Sequence, residues 1–280
     1  MALTSQQIEQ YEAEGYLHFN QLLTREEVAL LRAEALRLGT PARALAAANL
    51  TNETTGVIWR SYAMDRDSEA FRLATRLPRI LDRIRAVLGP DIYLWQAHMN
   101  HKPAGKGEAW QWHQDYTSWW QDGMPRGGIH DCATLMLMLD ESTPENGPLQ
   151  LIPRSHRGGR DEGYWDTGGG AFAVQAVAAD RVETLRRENG VAPILGPAGS
   201  AVMFPGMMVH GSEENRSKLP RCNAYFAYAR ADNRADGTAS KRKHVSPYQL
   251  NHLTVTLDHS VDDAALARLA SSLGQEPQPK

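Results

Sequence analysis

A histidine and an aspartate two positions apart, His113 and Asp115, stand inside the stretch 100–120, NHKPAGKGEAWQWHQDYTSWW. An imidazole and a carboxylate together suit a hard or borderline metal ion. If residues 110–116 are extended, side chains two apart share a face, and both groups enter one space. Two such ligands do not hold a metal tightly, so a third must come from elsewhere among the ten histidines. His18, His156, His244, His252 and His259 have no matching partner and read as surface or hydrogen-bonding residues. His210 differs, because it follows an apolar run, 201–209, broken by the turn signal Pro205-Gly206. That places it where a neighbouring strand could end beside His113. Two histidines and one carboxylate leave open positions on the metal, as in non-haem ferrous oxygenases. A buried histidine satisfied by hydrogen bonds is the competing reading.

Downstream of His210 stand Ser212 and, in HGSEENRSKLPRCNAY, Arg221. An arginine reaching the same cavity could hold a dicarboxylic acid through a bidentate, charge-assisted pair, with the serine hydroxyl beside it. A surface ion pair at the start of a strand is the alternative for Arg221.

The elements that must position these groups come in two blocks. In the first, Thr4 caps a helix carrying Ile8 and Tyr11 and ending at Gly15. Thr24 and Glu27 form a capping box for a second helix with Val28, Leu31, Ala35 and Leu38 on one face. Residues 40–62 read as a polar lid or binding loop and 66–76 as a helix. Pro78 opens another helix, whose stripe is Leu77, Leu81, Ile84 and Leu88. From Asp91 the period becomes strand-like, with strands expected at 92–100, 110–116, 133–139, 149–152, 201–204 and 223–229. The segment ATLMLML lacks alternation and is expected to be covered on both faces. Residues 158–190 form an insertion with a helix at 179–187. The expected fold is mostly β with flanking helices, a double-stranded β-helix or cupin-like jelly roll. Residues 1–280 are expected to form one domain: a helical part to about 90, a core at about 91–230 and a C-terminal extension at about 231–280.

Composition narrows the partners. A net charge of −3 and the absence of a basic block interleaved with aromatics argue against nucleic acid. No run of 18 apolar residues suggests a membrane span, and the start has no secretory pattern. Cys132 and Cys222 lie in apolar segments and read as two buried thiols rather than a disulfide. The expectation is a cytoplasmic protein acting on a small molecule.

Taken together, His113, Asp115, His210, Ser212 and Arg221, with ENGPLQLIPRSH between them, resemble the Fe(II)- and 2-oxoglutarate-dependent dioxygenases of the phytanoyl-CoA dioxygenase (PhyH) family. The resemblance spans nearly the whole chain. EGYLHFNQLLTREEVALLR looks like the family's opening, and WQWHQDYTSWWQDGMP is similar to a bacterial branch that includes ectoine hydroxylase and free amino-acid hydroxylases. It implies iron held by His113, Asp115 and His210, with 2-oxoglutarate bound by Asn100, Ser212 and Arg221. O2 would be consumed, succinate and CO2 released, and an unactivated carbon hydroxylated. Halogenases of the family carry a small residue where Asp115 stands, so the resemblance implies hydroxylation or a related oxidation. An arginine that ectoine hydroxylases use for substrate is replaced here by His98, and WHSDFETWH by WHQDYTSWW, which points away from ectoine.

Gln96, His98, Tyr116 and Trp119, with Trp120, flank the metal motif and are the expected substrate contacts. Gln96 and His98 alternate with Asn100 and would share its strand face. No long basic groove suggests a coenzyme A thioester, so an amino acid, a compatible solute or a biosynthetic intermediate is expected. Two other classes stay open. A zinc-dependent hydrolase also uses two histidines and a carboxylate, but it leaves Asn100, Ser212 and Arg221 without a task. A non-catalytic jelly-roll module binding a metal or ligand leaves the arginine unexplained.

Overall fold

Short apolar runs punctuated by glycine and proline pair into two antiparallel sheets. The structure, a computed structural model, describes residues 2–40, 49–51, 58–105, 107–166, 174–235 and 261–273. The larger sheet holds β1 (Leu17–Phe19), β2 (Asn49–Thr51), β3 (Ile58–Tyr62), β4 (Ile92–Lys102), β6 (Cys132–Met138), β11 (Ala201–Pro205) and β13 (Arg221–Arg230). Its strands run in the order β1-β11-β6-β13-β4-β3-β2. The smaller sheet holds β5 (Trp110–His113), β7 (Leu149–Leu151), β8 (Tyr164–Asp166), β9 (Val174–Ala176), β10 (Ala192–Pro193) and β12 (His210–Ser212), in the order β10-β7-β12-β5-β9-β8. This is the jelly roll expected from the strand spacing.

Helices α1 (Ser5–Glu14), α2 (Arg25–Leu38), α3 (Met64–Asp67), α4 (Glu69–Ala74) and α5 (Pro78–Leu88) precede the main strands. Three more follow: α6 (Asp115–Gln121), α7 (Ala179–Asn189) and α8 (Ala265–Leu273). Both capping boxes form, at Thr4 with Gln7 and at Thr24 with Glu27. Gly15 ends α1 at φ 83°, a left-handed conformation that glycine adopts without steric cost. Strand β6 explains the missing alternation in ATLMLML. Leu135 and Leu137 pack with Leu31, Leu81 and Ile84 from the helices. Met136 and Met138 pack with Leu149, Leu151 and Met208 between the sheets. Burial of each such side chain is worth about 1.5–3 kcal/mol. No helix among the described residues is long and apolar enough to cross a membrane.

The structure corrects several expectations. Asp115 does not extend the strand that carries His113; β5 stops at His113 and Asp115 is the first residue of α6. Residues 66–76 are not one helix, because extended Ser68 separates α3 from α4 and its hydroxyl caps the second by accepting from the Phe71 amide. Within the expected lid, residues 58–62 are strand β3, paired with β4; residues 41–48 and 52–57 lie outside the described residues. The 158–190 insertion contributes β8 and β9 to the smaller sheet beside β5, besides its expected helix. His244, His252 and His259 lie outside the described residues.

Candidate metal centre and anion pocket

The two histidines meet because β12 pairs with β5 in a register that sets His210 opposite His113. Their ring centroids are 4.2 Å apart. Each Nδ1 lies against a backbone carbonyl, His113 with Gln111 at 2.6 Å and His210 with Met208 at 2.9 Å. A carbonyl only accepts, so each Nδ1 donates and each Nε2 keeps its lone pair. Both Nε2 atoms stand 3.8 Å from the same Asp115 oxygen, Oδ1. That separation is too long for a hydrogen bond. Two ligand atoms each about 2.1 Å from one ion can stand up to roughly 4.2 Å apart, so it suits a shared metal. His113, Asp115 and His210 offer ligand atoms all within 4.8 Å of one another. Burial first, then neighbouring His210, holds the His113 imidazole well below the usual histidine range, in the neutral form a ligand requires. The donor set therefore fits a divalent transition metal.

Asp115 reaches this point through Gln114, whose role no local sequence motif announces. The Gln114 amide nitrogen donates to the carbonyls of Gly159 (2.9 Å) and Met207 (2.8 Å), and its oxygen accepts from the Asp161 amide at 2.8 Å. One side chain thus ties the start of α6 to the loop before His210 and to the insertion. The Tyr116 amide adds a bond of 2.9 Å to the Gly206 carbonyl. A methyl group on Gly206 would lie 2.7 Å from the Trp119 ring and 2.9 Å from the Cys132 sulfur. Gly206→Ala should therefore destabilise the protein by about 1–3 kcal/mol, through overpacking against α6. Denaturant melts of the two proteins check this.

The larger sheet supplies the opposite wall. Register places Arg60, Asn100 and Asn223 in one row across β3, β4 and β13, and Tyr62, His98 and Tyr225 in the next. Arg221 faces the same space and is only 2% exposed, so it is not a surface ion-pair residue. Its Nε donates to the Asn146 carbonyl at 3.4 Å, and its Nη1 reaches the Asn223 side-chain oxygen at 2.6 Å. No carboxylate among the described residues forms an ion pair with it, and burial lowers its pKa. Lys102 is opposite Arg221 in register, but its ammonium donates to the Glu213 carbonyl and is pushed down to about 6, by burial first and then by Arg221. Of this opposed pair, Arg221 is the fixed cation.

One cavity is lined by His113, Asp115, His210, Asn100, Ser212 and Arg221, with His98, Tyr225, Arg60 and Trp110 among its other walls. The expected metal and anion groups are thus brought together. His98 stacks on Tyr225 at 4.9 Å between centroids. The remaining expected substrate contacts lie elsewhere: Gln96 is buried but does not line this cavity. Tyr116 and Trp119 pack with Tyr93, Trp95 and Cys132, and the Tyr116 hydroxyl donates to the Met124 and Pro125 carbonyls. Trp120 is 41% exposed, under the Arg160 guanidinium. Arg60 was not found from sequence, since it sits in what read as a loop and only the β3–β4 pairing turns it inward.

With this geometry in place, comparison with known proteins is direct. The phytanoyl-CoA dioxygenase (PhyH) family model matches residues 11–223. The ectoine dioxygenase of Stutzerimonas stutzeri is 30% identical over 249 residues, covering 86% of this chain and 82% of that protein. The L-proline trans-4-hydroxylase of Streptomyces griseoviridis is 35% identical over 180 residues, covering 60% of this chain and 66% of that one. Among solved structures, EctD from S. alaskensis with 2-oxoglutarate and 5-hydroxyectoine superposes with a TM-score of 0.78 at 26% identity, covering 93% of this chain and 88% of the other.

Proposed function

The chain belongs to the phytanoyl-CoA dioxygenase (PhyH) family, and from that premise we propose which residues do its chemistry and what it acts on. It is an Fe(II)- and 2-oxoglutarate-dependent dioxygenase that hydroxylates a small molecule. In our reading the ferrous ion is held by Nε2 of His113, Nε2 of His210 and the Asp115 carboxylate. Arg221 and the Ser212 hydroxyl bind the far carboxylate of 2-oxoglutarate, and Asn100 contacts the same cosubstrate. When bound, iron and keto acid together activate O2, giving succinate, CO2 and a hydroxylated carbon. The protein's own part is placement and exclusion of water.

The observation that carries the reading is the pairing of a buried guanidinium, with no carboxylate partner among the described residues, with three convergent metal-ligand atoms in one cavity. Asn100 fits its role in detail. Its Oδ1 accepts from Arg60 Nε at 2.7 Å, so its amide nitrogen is left as a donor for a ligand oxygen. Hydrolytic zinc chemistry would need a general base, yet Asp115 is the only carboxylate among the described lining residues and is already a ligand. We take residues 1–280 as one dioxygenase domain acting in the cytoplasm on an amino acid, a compatible solute or a biosynthetic intermediate. Two buried, unpaired cysteines support a reducing compartment.

The test is anaerobic. Adding Fe(II) and 2-oxoglutarate to apoprotein should produce the weak visible charge-transfer band of a chelated keto acid. A protein that retains zinc and develops no band would sink the assignment.

A further inference from the structure

Arg60 is the cation in this cavity that the iron and cosubstrate assignments leave without a ligand. It projects from β3, and its guanidinium carbon lies 4.3 Å from the centroid of the Trp110 ring. Its Nε donates to Asn100 and its Nη1 lies 3.4 Å from the Tyr62 hydroxyl. No carboxylate among the described residues pairs with it, and Nη2 has no hydrogen-bond partner among them. A guanidinium held over an aromatic ring, with Nη2 open, is set to receive a planar anion.

The two arginines described in this cavity are anchored separately, Arg60 on Asn100 and Trp110, Arg221 on Asn146 and Asn223. Arg60 is on β3 and Arg221 on β13, with β4 between them, which separates their backbones by roughly 10 Å. Charge counting points the same way. Among the described lining residues the charged ones are Arg60 and Arg221 against Asp115, a net of one positive charge. A divalent metal adds two and 2-oxoglutarate removes two, so one positive charge remains uncompensated in a buried space, which favours one further anion. On the cosubstrate placement above, both carboxylates of 2-oxoglutarate are already engaged, one on Arg221 and Ser212, the other at the metal.

We propose that Arg60 binds a carboxylate of the substrate, so that this enzyme selects molecules bearing a free carboxylate group over their neutral derivatives. The inference rests on the dioxygenase reading and adds a specificity-determining residue to it. Trp110 supplies the face against which the guanidinium is held, and Asn100 fixes its near edge, so the orientation exists before substrate enters.

The experiment measures binding rather than turnover. Protein loaded anaerobically with Fe(II) and 2-oxoglutarate is titrated calorimetrically with a panel of free L-amino acids and small cyclic carboxylic acids, each paired with its own primary amide. At least one acid should bind, and its amide should bind roughly 10- to 100-fold more weakly. Arg60→Gln should erase that difference while the affinity for 2-oxoglutarate, read from the visible band, stays within about threefold. Arg60→Lys should recover part of the preference, since it restores the charge without the fork. The proposal is overturned if no acid in the panel binds, if amides bind as well as acids, or if Arg60→Gln weakens 2-oxoglutarate as much as the acid. The last result would assign Arg60 to the cosubstrate through Asn100. Absence of the band in the unaltered protein defeats the dioxygenase reading itself; a normal band without acid preference defeats only the role of Arg60. The acid–amide comparison uses no variant, so misfolding of Arg60→Gln cannot obscure it.

Discussion

Arg221→Met should weaken 2-oxoglutarate binding by roughly 30-fold or more while ferrous iron binds almost as before. Losing one partner of a buried, hydrogen-bonded charge pair costs about 2–5 kcal/mol, and 2 kcal/mol is about 30-fold in affinity. Methionine fills much of the same space and removes only the guanidinium. Titrating the visible band with the keto acid gives one number, and metal analysis after dialysis gives the other. The stability of the apoprotein supplies an independent check. Arg221 is buried without a carboxylate partner among the described residues, so methionine removes a desolvated charge, a gain that offsets the loss of its hydrogen bonds to Asn146 and Asn223. The melting temperature of metal-free Arg221→Met should therefore equal or exceed that of the parent. A lower melting temperature with equal losses of iron and keto acid would mark the arginine as structural.

Asp115→Ala should abolish stoichiometric iron, and His210→Ala should do the same. Removing the hydrogen-bond partners of metal ligands costs about 10- to 100-fold in affinity, and removal of a ligand itself should exceed that. The Asp115 oxygen stands 3.8 Å from both imidazole nitrogens and makes no hydrogen bond to either. Its removal should leave the apoprotein melt nearly unchanged. Metal content by mass spectrometry beside a thermal melt separates the two readings of the triad. Histidines and a carboxylate retained for packing would lose stability and keep whatever metal they held.

The strand block, the capped helices and the divided metal motif were legible because each is written in local chemistry. Thr24 with Glu27 is a capping box wherever the chain goes, and ATLMLML can be satisfied only between two apolar layers. Two features were hidden because they depend on pairing across the sheet or on one side chain's contacts. Arg60 faces the cavity only because it pairs with Asn100, forty positions later. Asp115 reaches the histidines from a helix start rather than a strand because Gln114 anchors that turn to two distant loops. The tryptophans after Asp115 looked like pocket walls by proximity. Helical geometry instead turns Trp119 into an aromatic cluster behind the site, and leaves Trp120 outside.

The split of the cavity between two sheets has a consequence for the order in which the site is assembled. Both histidines hang from adjacent strands of the smaller sheet, with Asp115 two residues beyond one of them, so the metal closes a loop within a single leaf. On the proposed placement the keto acid would have Ser212 on that leaf and Arg221 on the other. Iron would thus be a local clip, whereas 2-oxoglutarate would be a tie-beam joining the two leaves. Its departure as succinate would remove the longer brace, so the end of each catalytic cycle would also loosen the walls through which product must leave.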